Sequence, residues 1–258
     1  MTEPRGGQLA GAAVLITRPE GQADGLARAV AAAGGTPVSL PTLSIEPVVP
    51  TSAVSQIPDL VIFTSANAVR HGRACVRYDD RTRFAAVGRA TAAAMRESGL
   101  PEPLVPATAS SSEGLLDDPR IAAIGPGRAL LVKGVGGRDL LRRALQQRGF
   151  TVTVLDVYRR VIPELPKERI TGLADAWRRG GVDVVTATSA EALGNLYAMF
   201  GDDRDLIDRT PLVTVSPRIT EAAERMGHKG TCIVAGGPSD TELVAAIIEW
   251  VQSGCADR

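Results

Sequence analysis

The sequence predicts an α/β protein with two doubly wound parallel-sheet domains, and three observations carry that expectation. First, short apolar runs such as VLIT from Val14 and ALLV from Ala129 recur, each followed by an amphipathic stretch. Runs without polar alternation belong to strands buried on both faces. Second, the units repeat in order. LITRPEGQADGLARAVAAAGGTPVSL from Leu15 is answered by LLVKGVGGRDLLRRALQQRGFTVTVL from Leu130, 115 positions later. DLVIFTSANAV from Asp59 is answered by DVVTATSAEAL from Asp183, 124 positions later, and AAVGRATAAAMRESG from Ala85 by VTVSPRITEAAERMG from Val213. The order is kept and the offset only grows, which reads as an internal duplication with small insertions. Third, 258 residues suffice for two domains. With 44% hydrophobic but only 3% aromatic residues, the cores must be aliphatic, which suits helices packed on parallel strands.

Each copy opens with its apolar strand, a glycine-containing turn and a helix. The helix stripe is Leu26, Ala29, Val30 and Ala33 in the first copy, and Leu141, Ala144 and Leu145 in the second. Gly34 and Gly149 stand where a helix closes on a left-handed residue. A second strand follows, TPVSL or TVTVL. Prolines 41, 47 and 50, and then 163 and 166, predict extended linkers over 41–50 and 156–166 rather than core strands. The second copy adds a helix, Lys167 to Arg178. Three strand–helix units follow each linker, with strands LVIF, FAAV and PLV, then VDVVT, LVTV and TCIV. The last helix, Thr241 to Gln252, carries Leu243, Val244, Ile247, Ile248 and Val251 on one side. Repeated βα units of this length imply parallel sheets. The expected ligand site is the cleft between two lobes. If the chain crosses between lobes at both linkers, one lobe is discontinuous.

Lys+Arg and Asp+Glu balance at 29 each, so there is no electrostatic footprint for nucleic acid. The three cysteines, Cys75, Cys232 and Cys255, lack metal-ligand spacing and read as free thiols of a reducing compartment. The N-terminal MTEPRGGQLAGAA has no basic-then-apolar pattern, and no apolar run approaches the ~20 residues of a membrane span. A cytoplasmic protein is expected, without membrane attachment.

In open α/β sheets, ligands bind at the carboxyl ends of the strands. Thr64-Ser65-Ala66-Asn67 and Thr188-Ser189-Ala190-Glu191 occupy such ends in the two copies. They read either as helix caps, with Thr188 and Glu191 at capping-box spacing, or as carboxylate-binding hydroxyls and amides. Gly88-Arg89-Ala90-Thr91 and Ser216-Pro217-Arg218-Ile219-Thr220 each place an arginine at a helix start. There its charge opposes the macrodipole, which suggests an anionic ligand. Lys133-Gly134-Val135-Gly136-Gly137-Arg138 turns backbone amides toward an anion, but Asp139 breaks the GxGxxG dinucleotide pattern. The two histidines, His71 and His228, are expected to be solvated, and no nucleophile or metal motif occurs. Tyr158, a scarce aromatic at the start of the second linker, reads either as a packed ring or as a proton donor to a departing group.

Taken in order, LITRP, Leu40-Pro41-Thr42-Leu43, IFTSANAV, VGRATA, KGVGGRDLL and VYRR make the chain resemble the uroporphyrinogen-III synthase family from Val14 to Val251. The resemblance implies two flavodoxin-like domains, one discontinuous over residues 1–40 and 163–258, the other over 41–162. It implies cyclisation of the linear tetrapyrrole hydroxymethylbilane, with inversion of the last pyrrole ring and loss of water, without cofactor or metal. A monomer is expected. Tyr158 matches the family tyrosine that assists departure of the terminal hydroxyl. Thr64, Ser65, Thr91, Thr188 and Ser189 would bind substrate carboxylates, with Arg89, Lys133 and Arg138 balancing charge. Arg18, Asn67, Gly136, Gly137, Ser216 and Thr220 complete the expected substrate-binding set. The chain departs from the family's IGPTTA-like turn, where Ser216 replaces the glycine. The rival readings are a non-catalytic tetrapyrrole- or small-anion-binding regulatory module of the same fold, and a solute-binding protein.

Overall fold

Why the apolar runs become strands is plain from their burial in the computed structural model, which describes residues 7–51, 54–107 and 111–253. The first six residues of the N-terminal stretch and Cys255 lie outside the described residues. In chain order the elements are β1 (Ala13–Ile16), α1 (Asp24–Ala32), β2 (Thr36–Ser39), β3 (Ser44–Pro47), β4 (Leu60–Phe63), α2 (Ala66–Gly72), β5 (Arg83–Ala86) and α3 (Arg89–Glu97). Then come α4 (Ser112–Leu116), α5 (Pro119–Ala122), β6 (Arg128–Gly134), α6 (Leu140–Gln147), β7 (Thr151–Val161), α7 (Lys167–Arg178), β8 (Val184–Ala187) and α8 (Ala190–Phe200). The series ends with α9 (Arg204–Arg209), β9 (Leu212–Thr214), α10 (Pro217–Arg225), β10 (Cys232–Val234) and α11 (Asp240–Gln252).

Two compact units result. Unit 1 joins the chain up to Ser44 with the chain from Val161, and unit 2 is Ile45–Arg160. The sheet of unit 1 has the order β10-β9-β8-β1-β2 and that of unit 2 the order β3-β7-β6-β4-β5. Read from β2, unit 1 is the 2-1-3-4-5 order of a flavodoxin-like sheet. Unit 2 has four equivalent strands in the same neighbour order, β7-β6-β4-β5 against β2-β1-β8-β9, but its fifth strand, β3, lies beside β7, at the edge opposite to the one that β10 takes in unit 1. Every pair with a described register in both sheets is parallel. β1, β4 and β8 are buried along their whole length, as unalternating runs between two helix layers must be.

Each sheet carries a core on both faces. In unit 2, Val61, Phe63, Leu130, Val132, Leu155 and Val157 pack on one side with Val69 and Met95. Leu60, Ile62 and Leu131 pack on the other side with Leu115, Leu141 and Leu145. In unit 1, Val14 and Ile16 face Leu26, Leu243 and Ile247, while Leu15 and Val185 face Trp177, Leu193 and Leu196. Helix α11 is started by a full capping box between Ser239 and Glu242.

Three expectations need correction. The proline-rich 41–50 stretch is not all linker: Ser44–Pro47 is the edge strand β3, with Pro47 as its last residue. Proline is tolerated there because an edge leaves N–H positions unpaired. Residues 156–161 are the second half of β7 rather than linker, since the strand continues to Val161. PLV is no strand, because only Leu104 makes a bridge, to Ala85. No helix among the described residues is long and apolar enough to cross a membrane.

Candidate active site

In unit 2 the chain leaves β6 toward β7 on one side, while β4 leads to β5 on the other. The crevice beyond the carboxyl ends of β6 and β4 is therefore the topological switch point, where open α/β sheets bind ligands. A cavity of about 210 Å³ lies there, lined by Thr64, Ser65, Lys133 to Arg138, Tyr158 and Arg160, with Ser112, Leu131 and Leu141.

The elements set these side chains by ordinary means. Ser65 is the N-cap of α2, in extended backbone, and its Oγ accepts from Ala68 N at 3.0 Å. The same Oγ lies 3.0 Å from the Tyr158 hydroxyl. Tyr158 is only 2% exposed. Its ring centroid is 6.1 Å from that of His71, and the Arg160 guanidinium lies 5.9 Å from it. A phenol so held cannot swing into solvent, yet its oxygen lines the cavity through Ser65.

Gly136 and Gly137 both have left-handed backbone, φ 76° and 81°, and close the turn from β6 to α6. The Lys133 ammonium donates to the Gly136 carbonyl and stands 3.8 Å from an Asp156 carboxylate oxygen. Its side chain is 15% exposed. Lys133 therefore braces the glycine turn instead of standing free at the rim. Arg138 pairs with Glu113 of α4, whose carboxyl is held below its usual range by its own backbone amide first and then by Arg138.

The remaining expected residues divide by unit. In unit 2, Thr64 Oγ1 is 3.4 Å from the Val132 carbonyl. Asn67 accepts from Arg70. Arg89 is exposed at the first position of α3, while Thr91, 5% exposed, is turned into the packed side of that helix. In unit 1, Ser189 caps α8 by accepting from Ala192 N at 3.0 Å. The cap is Ser189 and not Thr188, so Thr188 and Glu191 do not form the expected box; Ser189 has the extended backbone that precedes a helix. Ser216 precedes α10 without a side-chain cap, and Thr220 Oγ1 lies 3.1 Å from Thr214 Oγ1. Arg18 is ion-paired with Asp240 and donates to the Pro238 carbonyl. It ties β1 to α11, a holding role within unit 1.

Neither histidine is solvated as expected. His71 is half-buried beside Tyr158. His228 is half-buried with Nδ1 3.4 Å from the Tyr197 hydroxyl, which donates to Asp208 at 2.9 Å. Sequence reasoning left out Arg160 and His71 at the site, and took Gly134 as part of the glycine turn, whereas it is the last residue of β6. Arg160 stood in plain view two residues after Tyr158, on the same strand. His71 was hidden because nothing in the sequence says that α2 lies over β7.

The uroporphyrinogen-III synthase HemD family profile matches residues 24–244. The uroporphyrinogen-III synthase of Salmonella typhimurium is 28% identical over 247 residues, covering 90% of this chain and 98% of its own. A putative uroporphyrinogen-III synthase of Methanothermobacter thermautotrophicus is 30% identical over 252 residues, covering 91% and 96%. Among solved structures, a mutant uroporphyrinogen III synthase of Thermus thermophilus has a TM-score of 0.61 at 23% identity, covering 94% of this chain and 99% of its own. The Helicobacter pylori uroporphyrinogen-III synthetase also reaches 0.61, at 12% identity, with the same coverage. The two structural likenesses speak for the fold; the profile and the sequence relatives show that this chain belongs to the uroporphyrinogen-III synthase family.

Proposed function

We propose that the cavity at the ends of β6 and β4 is where this synthase handles the reacting end of hydroxymethylbilane, closing it to uroporphyrinogen III with inversion of the terminal pyrrole ring and loss of water. The observation that carries this reading is the Tyr158 phenol, buried at the switch point with its oxygen 3.0 Å from Ser65 Oγ. The C–O bond of the terminal hydroxymethyl group breaks with its electron pair on oxygen. The phenol supplies the proton that lets this oxygen depart as water. The carbon so freed bonds the α-carbon of the terminal pyrrole that already carries the methylene bridge; that bridge bond breaks and re-forms on the ring's free α-carbon, which inverts the ring. The free α-carbon gives up its proton, which restores the phenol, so the net loss is one water. General acid assistance of this kind contributes about 10²–10⁴-fold. The rest of the acceleration comes from holding a flexible chain with its two ends in register.

The substrate's carboxylates would be met by the amides of the Gly136–Gly137 turn, by Arg160, and by Thr64 with the start of α2. At the ends of β8 and β9 in unit 1, Thr188, Ser189, Ser216 and Thr220 offer hydroxyls of the same kind. Arg89 remains a candidate charge partner, being exposed at a helix start. Lys133 and Arg138 act through the loop that they brace. The proposed enzyme is a cytoplasmic monomer that binds no nucleic acid; the balanced charge supports the last of these. The test is to supply hydroxymethylbilane and resolve the product isomers. Uroporphyrinogen III is expected; only the spontaneous isomer I would show that the chain does not catalyse the reaction.

A further inference from the structure

We propose that Gly134 is a positioning residue, which sets the Tyr158 hydroxyl for the ring-closing reaction. The claim rests on the reading of Tyr158 given above. The β6–β7 ladder pairs Lys133 with Asp156 and then Gly134 with Tyr158, so the register slips by one and Val157 is the extra residue of a bulge. In a regular strand Tyr158 would face away from Val157. Here both belong to the same core cluster, under α2. The bulge has turned the phenol to the face where Ser65 waits.

On that face the ring lies directly on Gly134. A Cβ at 134 would stand 2.6 Å from Tyr158 Cζ, 2.8 Å from Cε2 and 3.0 Å from Cε1. Gly134 is not among the glycines with left-handed backbone. Its conformation suits any residue, so the lack of a side chain serves the ring and not the chain. Carbon atoms pack at about 3.5–4.0 Å, so even alanine pushes the ring back by about 1 Å. The hydroxyl would then leave Ser65.

The experiment is Gly134→Ala, alone and in a Tyr158→Phe background, with kcat and KM measured per folded protein. Ring-¹³C-tyrosine spectra, with the Tyr158 signal assigned by its loss in Tyr158→Phe, complete the set. Gly134→Ala alone is expected to lower kcat by about 100-fold with KM within about twofold, the scale of a 1 Å misplacement. It should shift the Tyr158 Cζ resonance and slow the Tyr158→Phe enzyme by no more than about twofold further, because contacts acting through one group are not additive. An unmoved resonance, or equal slowing in both backgrounds, overturns the positioning role. A Tyr158→Phe enzyme of full activity instead sinks the proton-donor reading, and the resonance still judges the contact. If Gly134→Ala fails to fold, adding Tyr158→Leu should restore the fold by removing the clashing ring. Failure to do so overturns the proposal as well.

Discussion

At the end of β1 in unit 1, Thr17 Oγ1 donates to the Thr186 carbonyl of β8 at 2.8 Å, and Thr186 Oγ1 donates back to the Leu15 carbonyl at 3.0 Å. Thr42 Oγ1 stands between the carbonyls of Ala192 and Thr17, at 2.9 and 3.1 Å, and Asn195 donates to the Thr42 carbonyl at 2.8 Å. By the repeat register, the counterparts of Thr17, Thr186 and Thr42 in unit 2 are Val132, Ile62 and Val157. These three are apolar core residues. Unit 1 spends its hydroxyls on stitching the strand ends together. Unit 2 packs the same level with hydrocarbon and carries its hydroxyls one step higher, on Ser65 and Tyr158, where a cavity opens. Leu43, the counterpart of Tyr158, is a buried core residue. Two sheets that share the order of four equivalent strands thus differ in what their switch points are free to bind.

The strongest attempt to break this contrast is Tyr158→Phe. The ring packing stays, so stability should hold, while kcat falls by about 10²–10⁴-fold at nearly constant KM. Isomer analysis should show the spontaneous product gaining on uroporphyrinogen III. Activity close to wild type would place the reacting group elsewhere.

Thr42→Val makes unit 1 resemble unit 2 at one position. It deprives two buried carbonyls of a shared donor, at a cost of about 1–3 kcal/mol. A urea-denaturation midpoint should fall, with kcat per folded molecule unchanged. A loss of kcat without loss of stability would mean that the unit 1 stitching takes part in the reaction.

Ser65 and Ser189 sharpen the comparison, because both cap the first turn of a helix at equivalent strand ends. Replacing either by alanine should cost about 1 kcal/mol of stability. Ser65→Ala should also lower kcat by about tenfold, the value of one hydrogen bond to a reacting group, whereas Ser189→Ala, at a hydroxyl offered to a substrate carboxylate, should raise KM and leave kcat in place. Equal kinetic effects from the two variants would abolish the distinction drawn between the units.

Much of this contrast could be read in the residues alone, and some could not. The helix expected over Lys167 to Arg178 has those bounds in the structure, because its start follows a proline and its apolar spacing is regular. The serine–threonine strand ends and the glycine turn were legible for the same local reason. The edge strand at Ser44–Pro47 was obscured because proline density reports local backbone restriction and says nothing about what lies alongside. The choice of Ser189 over Thr188 as cap depends on which residue takes the extended conformation, one position beyond what spacing resolves. The bulge at Val157 is a property of two strands together, and VTVLDVYRRV carries no mark of it. Tyr158 was therefore found as a rare residue in a telling place, while the glycine beneath it was not.

The smallest effect concerns a second pair, the buried Tyr158 and the half-buried Tyr197. Tyr158 meets a serine hydroxyl, while Tyr197 in unit 1 donates to Asp208 and has its pKa raised by burial first and then by that carboxylate. The neighbouring His228 is pushed below its usual pKa by burial, against the pull of Asp208. Because the folded value lies below the unfolded one, the unfolded chain takes up a proton near pH 6.5 while folded His228 stays neutral. Its contribution to stability is therefore complete above about pH 6.5, and it is lost as the pH falls toward the lowered folded value. The melting temperature should drop over that interval in the wild type and drop less in His228→Asn. Identical slopes would mean that the imidazole is solvated after all and that unit 1 holds no half-buried polar cluster to set against the open one in unit 2.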